Sequence, residues 1–435
     1  MKKRPHIVIT MADDQRHDLV GGLGHPMLRT PAFDRLMREG TCWTHAHCMG
    51  STHGAVCAPS RGMLHTGRTM YHIPAAIRQD YGQFRPPCDT DPASLPLLGE
   101  LLQLTGYRTF ITGKWHNNRG PLTRSFREGR QVFLGGMGDH FAVKVCDLRD
   151  GEFTPDRVEH QHSTELFTDA AVDYIARYDG EEPFFLVCAY TAPHDPRDTL
   201  PQWHAQYRPE DVALPPNFLA EHPFDNGELD VRDELLAAKP RDPDEVRKHI
   251  ADYYAMTAHM DDGIGRILAA LDARGLTDDT VFVHTSDHGL AVGQHGLMGK
   301  QNLYDHSMRV PLLVRGPGVA AGRRDDRLCY QHDLFPTLLQ LAGADVPATC
   351  EFRSLLEAPA YDTLFTAYRE VMRAVRDDRH KLIVYRVGES VRTQLFDLHD
   401  DPWEQRDVAA ERPEVVQRLQ KALGDWQRRV DDPVA

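Results

Sequence analysis

Short apolar runs alternate with longer amphipathic ones along most of the chain. IVIT (residues 7–10) reads as a buried strand, and PAFDRLMREG (31–40) as a helix that ends in Gly. SLPLLGELLQLTG (94–106) predicts a second helix with a Gly stop, followed by the strand YRTFITG from residue 107. A helical pattern over 165–178 leads into PFFLVCAYT (183–191), a strand apolar on both faces. A long helical pattern over 243–275 precedes TVFVHTSD (280–287), and PLLVRGPG (311–318) and DLFPTLLQLAG (333–343) continue the alternation. Continuously apolar strands separated by helices predict a mostly parallel sheet covered on both faces.

After about residue 350 the pattern changes. TLFTAYREVMRAVRDDRHKLIVYRV and TQLFDLHDDP predict antiparallel strands, and residues 413–430 form an amphipathic closing helix. The expected fold class is α/β. A large mixed, mostly parallel sheet flanked by helices occupies residues 1–350, and a small α+β subdomain with an antiparallel sheet, residues 351–435, packs on it. No internal repeat is visible. Residues 196–245, rich in Pro and Asp, predict a long surface loop or lid.

The 435 residues suffice for a large core, and 41% hydrophobic with 26% charged residues is ordinary for a globular protein. A net charge of −14 without a basic stripe excludes a nucleic-acid partner. No apolar run approaches the ~20 residues of a membrane span. In MKKRPHIVITMADD the apolar stretch is too short for a signal peptide, so the expectation is a cytoplasmic protein. Eight irregularly spaced cysteines (42, 48, 57, 88, 146, 188, 329 and 350) suit reduced thiols better than a disulfide framework. A homo-oligomer is compatible with the sequence, which carries no signal of assembly state.

In an open parallel sheet, ligands bind beyond the carboxyl ends of the strands. MADD, GKWH, APHDP and SDHG each follow a predicted strand at that end. Asp13, Asp14 and Asp287, crowded together with His288, require a cation, and hard oxygen ligands suit Ca²⁺ or Mg²⁺. Arg61, Arg68, Lys114 and Lys300, with His116 and His194, make an anion-attracting pocket suited to sulfate or phosphate oxygens.

Cys57, in AVCAPSRGMLHTGR, admits several readings. The phosphatase-type thiolate fails on spacing, because Arg61 comes at the fourth position after the cysteine and Met63 stands at the sixth. A zinc site drawn from Cys42, His45, His47, Cys48, His53 and Cys57 lacks finger-type pairing. A phosphate-binding Gly-Lys loop ending at Lys300 would need Gly where Gln294 stands. An inert buried thiol is the remaining ordinary reading.

Cys57-Ala58-Pro59-Ser60-Arg61, followed by Leu64, Thr66, Gly67 and Arg68, resembles the signature of the type I sulfatases. MADDQR, GKWH, APHDP, SDHG and GLMGKQNLYDHSMRVPLLVRGPG resemble segments of that family in the same order. The resemblance implies an alkaline phosphatase-like fold and the conversion of Cys57 to formylglycine by a formylglycine-generating maturation enzyme. It implies Asp13, Asp14, residue 57, Asp287 and His288 as metal ligands. It also implies charge stabilisation by Arg61, Lys114 and Lys300, leaving-group protonation by His194 with Lys300, and proton removal by His116. Many members carry Asn where this chain has His288. The departure keeps Ca²⁺ as the expected ion and brings Mn²⁺ into consideration beside Mg²⁺.

The implied substrate is a small sulfated carbohydrate or aryl sulfate, with His45, His47, His53, Asp139 and His140 expected to help line its pocket. Trp43, Trp115 and Trp203 fit either sugar stacking or core packing. A phosphonate monoester or phosphodiester hydrolase of the same superfamily is the nearest rival, and a glycan-binding pseudo-sulfatase is the non-enzymatic one.

Overall fold

The computed structural model describes residues 4–74, 77, 93–357 and 359–435. Residues 1–3 and Cys88 lie outside them. A 12-stranded sheet runs Arg309–Val310, Gly40–His47, Leu312–Arg315, Thr280–Ser286, His6–Ala12, Phe184–Ala189, Arg108–Lys114, Glu128–Phe133, Val143–Arg149, Glu152–Phe153. Strand Arg323–Tyr330 pairs beside Gly40–His47, and Arg157–Glu159 beside Val143–Arg149. The middle, from Thr280–Ser286 through Glu128–Phe133, is parallel, and antiparallel pairs flank it.

The strand His6–Ala12 explains its own composition. Ile7, Ile9 and Met11 belong to one core cluster, and Val8 and Ala12 to the cluster on the opposite face. A strand covered on both faces has no polar side, so the period-2 alternation disappears. The observed helix Pro243–Ala273 matches its expected span closely. Asp242 caps it, accepting from Asp244 N at 2.9 Å and Glu245 N at 3.0 Å. Acidic Asp244 and Glu245 in the first turn favour its positive end. The expected helix 94–106 shortens to Leu98–Leu104: Pro96 disfavours helical backbone at Leu95, and Leu97 is extended with φ −107° and ψ 147°.

The second sheet is antiparallel through Ser390–Asp397, His380–Val387, Met372–Arg376 and Leu364–Tyr368. Helix Pro413–Arg429 buries Leu419, Leu423 and Trp426 against it, with Trp426 stacked on Phe365 at 5.1 Å. Its fifth strand, Gly50–Ser51, comes from the first half of the chain and pairs parallel with Leu364–Tyr368. The segment leading into Cys57 is thus stitched to the C-terminal sheet.

Residues 196–245 differ from the expected open loop. They contain the helix Pro201–His204 and the 3-10 turns Pro209–Asp211 and Arg232–Leu236. Arg241, 2% exposed, ties this stretch down through the carbonyls of Gly296 and Glu234 and the carboxylate of Glu234.

Candidate active site

Register places the chemistry. Ala12 lies opposite Ser286 in the parallel pair, so Asp13 and Asp287 leave adjacent strand ends side by side. Lys114 closes the strand Arg108–Lys114, and His116 and His194 follow strand ends at the same edge. Cys57 is the first residue of helix Cys57–Thr66, every residue of which is buried. That helix stops at Gly67, whose left-handed φ of 66° closes Gly67 N on Met63 O at 2.9 Å. A Cβ there would sit 2.5 Å from the Phe335 ring.

Asp13, Cys57, Asp287 and His288 present ligand-competent atoms within 4.8 Å of one another, and Asp13, Asp14 and His194 form an overlapping group. Asp14 carries φ 74° and His116 φ 55°, left-handed conformations that non-glycine residues adopt at a cost.

The charges interlock. Lys114 Nζ bonds to Asp13 Oδ2 and lies 3.5 Å from Cys57 Sγ. Lys300 Nζ is 2.9 Å from Asp14 Oδ1. Arg61 donates from Nε to Asp287 Oδ2 at 2.9 Å and from Nη1 to the Lys114 carbonyl at 2.7 Å. Ser60 Oγ donates to the Asp287 carbonyl at 2.7 Å. Burial pushes the Asp287 carboxyl up to about 6, reinforced by repulsion from Asp13. Burial would raise Asp13 too, but Lys114, His194 and Lys300 outweigh it and hold Asp13 well below the usual range. Burial would likewise push the Cys57 thiol up, yet Lys114, His116 and Lys300 hold it well below its ordinary value. Burial drives His116 down to about 4.

A divalent cation fits this arrangement. Asp13 Oδ1 and His288 Nε2 are buried and have no hydrogen-bond partner. His288 Nδ1 is 2.9 Å from the Gly289 carbonyl, which can only accept, so Nδ1 carries a hydrogen and Nε2 is the nitrogen left to offer a lone pair to a cation that displaces its proton. A lone pair and carboxylate oxygens converging in a dry site are the donor set of a metal centre.

A family model described as Sulfatase matches residues 5–344, and one described as N-sulphoglucosamine sulphohydrolase, C-terminal, matches 293–429. The chain belongs to the sulfatase family. Sulfatases are sulfuric ester hydrolases, and this one has the alkaline phosphatase-like architecture. It is 29% identical to the multifunctional alkaline phosphatase superfamily protein PehA of Trinickia caryophylli, over 81% of this chain and 76% of that protein. It is 24% identical to N-acetylglucosamine-6-O-sulfatase of Bacteroides thetaiotaomicron, over 99% of this chain and 87% of the relative. A solved structure in complex with its substrate D-glucosamine-2-N,6-O-disulfate superposes with a TM-score of 0.81 at 23% identity, covering 99% of both chains. The phosphonate monoester hydrolase of Agrobacterium radiobacter superposes at 0.77 and 22% identity, over 99% of this chain and 96% of that one.

The candidate site brings together Asp13, Asp14, Cys57, Arg61, Lys114, His116, His194, Asp287, His288 and Lys300. Among the described residues, neither ligand cluster includes Cys42, His45, His47, Cys48 or His53, so the zinc reading has no geometry. Arg68 turns away, donating to the Thr349 carbonyl and pairing with Glu351 at 3.2 Å.

The expected pocket-lining residues fare differently. His45 lines a separate cavity of about 470 Å³ with Asp326, Tyr361 and Arg418. His47 is buried between the sheets, with Nε2 at 3.1 Å from Arg376 Nη1. His53 is 3% exposed beside Ser51, whose hydroxyl accepts from His53 N at 3.0 Å. His140 supports the site from behind: Nε2 is 3.0 Å from the His194 carbonyl and Nδ1 2.6 Å from Ser163 Oγ. Asp139 is exposed and accepts from Phe141 N. From the same GGMGDH loop, Gly136 covers His116, where a Cβ would come within 2.5 Å of Nε2. Trp43 and Trp115 are buried core aromatics, and Trp203 stacks on His259 at 5.4 Å.

Sequence reasoning missed Asp195, Arg232, Asp233 and Glu234. Asp195 was visible inside APHDP, but the other three carry no motif.

Proposed function

We propose that the enzyme removes sulfate from a small sulfated sugar, using formylglycine made from Cys57 and a divalent cation, with Ca²⁺ the first choice and Mn²⁺ or Mg²⁺ the alternatives. The observation that carries this reading is the placement of Cys57 Sγ, 3.5 Å from Lys114 Nζ and within the Asp13–Asp287–His288 group. The thiol stands where the oxygen of the modified residue would stand. Similarity to the N-acetylglucosamine-6-O-sulfatase, and to a fold seen bound to a disulfated glucosamine, supports an amino-sugar sulfate.

When present, formylglycine supplies the oxygen nucleophile, and the cation, held by Asp13, Asp14, residue 57, Asp287 and His288, supplies Lewis-acid charge. The other residues of the site do the remaining work. Arg61, Lys114 and Lys300, all buried, offer preorganised positive charge to the sulfuryl oxygens. His194 Nδ1 faces the Asp195 carbonyl at 2.7 Å, which leaves Nε2 to deliver a proton to the departing alcohol, beside Lys300. His116, held largely neutral by burial, is the base that clears a proton so that sulfate can leave.

Co-expression with a formylglycine-generating enzyme, followed by mass analysis of the peptide containing residue 57, tests the chemistry. The aldehyde or its hydrate is the expected mass, and a persistent thiol under conditions that mature a control sulfatase would overturn the reading. A second reading, phosphonate monoester hydrolysis, draws on His288 and on the likeness to PehA and to the Agrobacterium enzyme. Turnover of an aryl sulfate against the matching aryl phosphonate separates the two.

A further inference from the structure

The 3-10 turn Arg232–Leu236 touches both loops that carry the proton-handling groups. Arg232 donates from Nη1 to Asp195 Oδ1 at 3.0 Å, and its Nη2 bonds to Asp195 Oδ2. Asp195 is 4% exposed, and its Oδ1 lies 3.3 Å from His194 Nδ1. One residue on, Asp233 accepts from Gln301 Nε2 at 2.8 Å, and Gln301 Oε1 in turn accepts from Lys300 N at 3.1 Å. The next, Glu234, accepts from Met298 N and Gly299 N, both at 2.9 Å. Three consecutive side chains therefore clamp the His194 loop on one side and the Lys300 turn on the other.

We propose that Arg232 and Asp195 are a positioning pair for His194, and that the Arg232–Glu234 strap holds His194 and Lys300 together over the leaving-group oxygen. A carboxylate beside an imidazole fixes its ring plane, and a bidentate arginine fixes the carboxylate. The imidazole gives its proton from Nε2 to the alcohol oxygen as the sulfur–oxygen bond breaks, and the Nδ1 hydrogen stays on the Asp195 side. The inference rests on the sulfatase reading and adds to it the residues that make its acid step precise.

The discriminating experiment uses matured, full-length enzyme and a series of aryl and alkyl sulfates of increasing leaving-group basicity. Arg232→Ala and Asp195→Asn are expected to lose roughly 10- to 100-fold in kcat on the most basic leaving groups. The same variants should lose only a few-fold on 4-nitrophenyl sulfate, whose anion leaves without a proton. Arg232→Lys should recover part of the loss, and adding Arg232→Ala to His194→Gln should cost almost nothing further. Equal losses across the series would overturn the proposal. Crystal structures of wild type and Arg232→Ala give a readout independent of turnover, with the His194 ring expected to leave its place beside Asp14, 3.8 Å away. A ring that stays put would sink the pair, whereas a wild-type enzyme inactive on every sulfate would sink the sulfatase reading and leave the ring position to decide.

Discussion

Two clusters of buried charge lie in this molecule, and they are built on opposite terms. At the junction of the two sheets, Asp305 is 2.8 Å from Lys381 and 3.1 Å from Arg376, and Lys381 is 2.8 Å from Glu404. Each of these charges has an opposite charge at contact distance, and Glu404 also caps Asp305 N at 2.7 Å. At the strand ends, Asp13 Oδ1, His288 Nε2 and Arg61 Nη2 are equally buried and have no partner. A buried charge set that is saturated holds a fold together, whereas one left short of partners in a dry site is waiting for a ligand. The difference is one of degree: three buried atoms lack a hydrogen-bond partner at the strand ends, against Glu404 Oε1 alone at the junction.

The largest effect that tests this contrast is on turnover. Cys57→Ala is expected to abolish sulfate hydrolysis, by roughly 10⁴-fold or more, as removal of a nucleophile does. It should leave the thermal midpoint unchanged or higher, because it removes a group from a strained, charge-crowded site. Circular dichroism melting beside a sulfate-release assay checks both halves. A large drop in melting temperature would mean that Cys57 holds the fold as the junction cluster does.

The reverse pattern is expected at the junction. Lys381→Met leaves Asp305 and Glu404 buried without their shared cation, and breaking such a pair costs about 3–5 kcal/mol. Denaturant unfolding should show that loss, with the kcat of the remaining folded enzyme near wild type. If stability barely moved, the saturated cluster would not be structural and the comparison would collapse.

How much of this was legible in the sequence depended on distance along the chain. Asp13 and Asp14, His116, His194, and Asp287 and His288 follow strands whose continuous apolar character was readable, so strand-end logic placed them. Cys57 to Arg61 and Lys300 came from local motifs. His45 and His47 misled because histidine content says nothing about which strand lies alongside. His45 pairs with Leu328 and lines a separate cavity, and His47, although it ends its strand, turns its ring to Arg376 and Asp305. The strap escaped notice for a related reason. Arg232 meets a partner 37 residues away and Glu234 meets amides 64 and 65 residues away, in a stretch whose Pro and Asp content reads as loop. The buried Arg241 that anchors it looks, in sequence, like any solvated arginine.

Metal removal sharpens the contrast at smaller scale. A ligand bound only by the folded state at a hundred times its Kd contributes about 2.7 kcal/mol. Chelation is therefore expected to lower the melting temperature by a few degrees, and Ca²⁺, Mn²⁺ and Mg²⁺ returned singly would rank the ions. Asp287→Asn should abolish the response to chelator, and Lys381→Met should retain it. A chelator response that survives Asp287→Asn would place the ion elsewhere.

The smallest effect comes from a charge pair that belongs to neither cluster. His72 follows the Cys57 helix and lies 2.6 Å from Glu351, at the seam with the second half of the chain. Its hydrogen bond to Glu351, with their attraction, raises the His72 pKa against partial burial. A histidine with a raised folded pKa lends stability that is fully present below the unfolded value near 6.5 and fades as pH rises through the folded value. The pair is partly solvated, so its worth is about 0.2–1 kcal/mol. His72→Gln should therefore cost stability at pH 5.5 and nothing at pH 9, flattening the wild-type decline between them. Melting curves across that range check the sign: a larger loss at pH 9 would show that His72 acts through packing and not charge, making this seam neutral where the junction cluster is ionic.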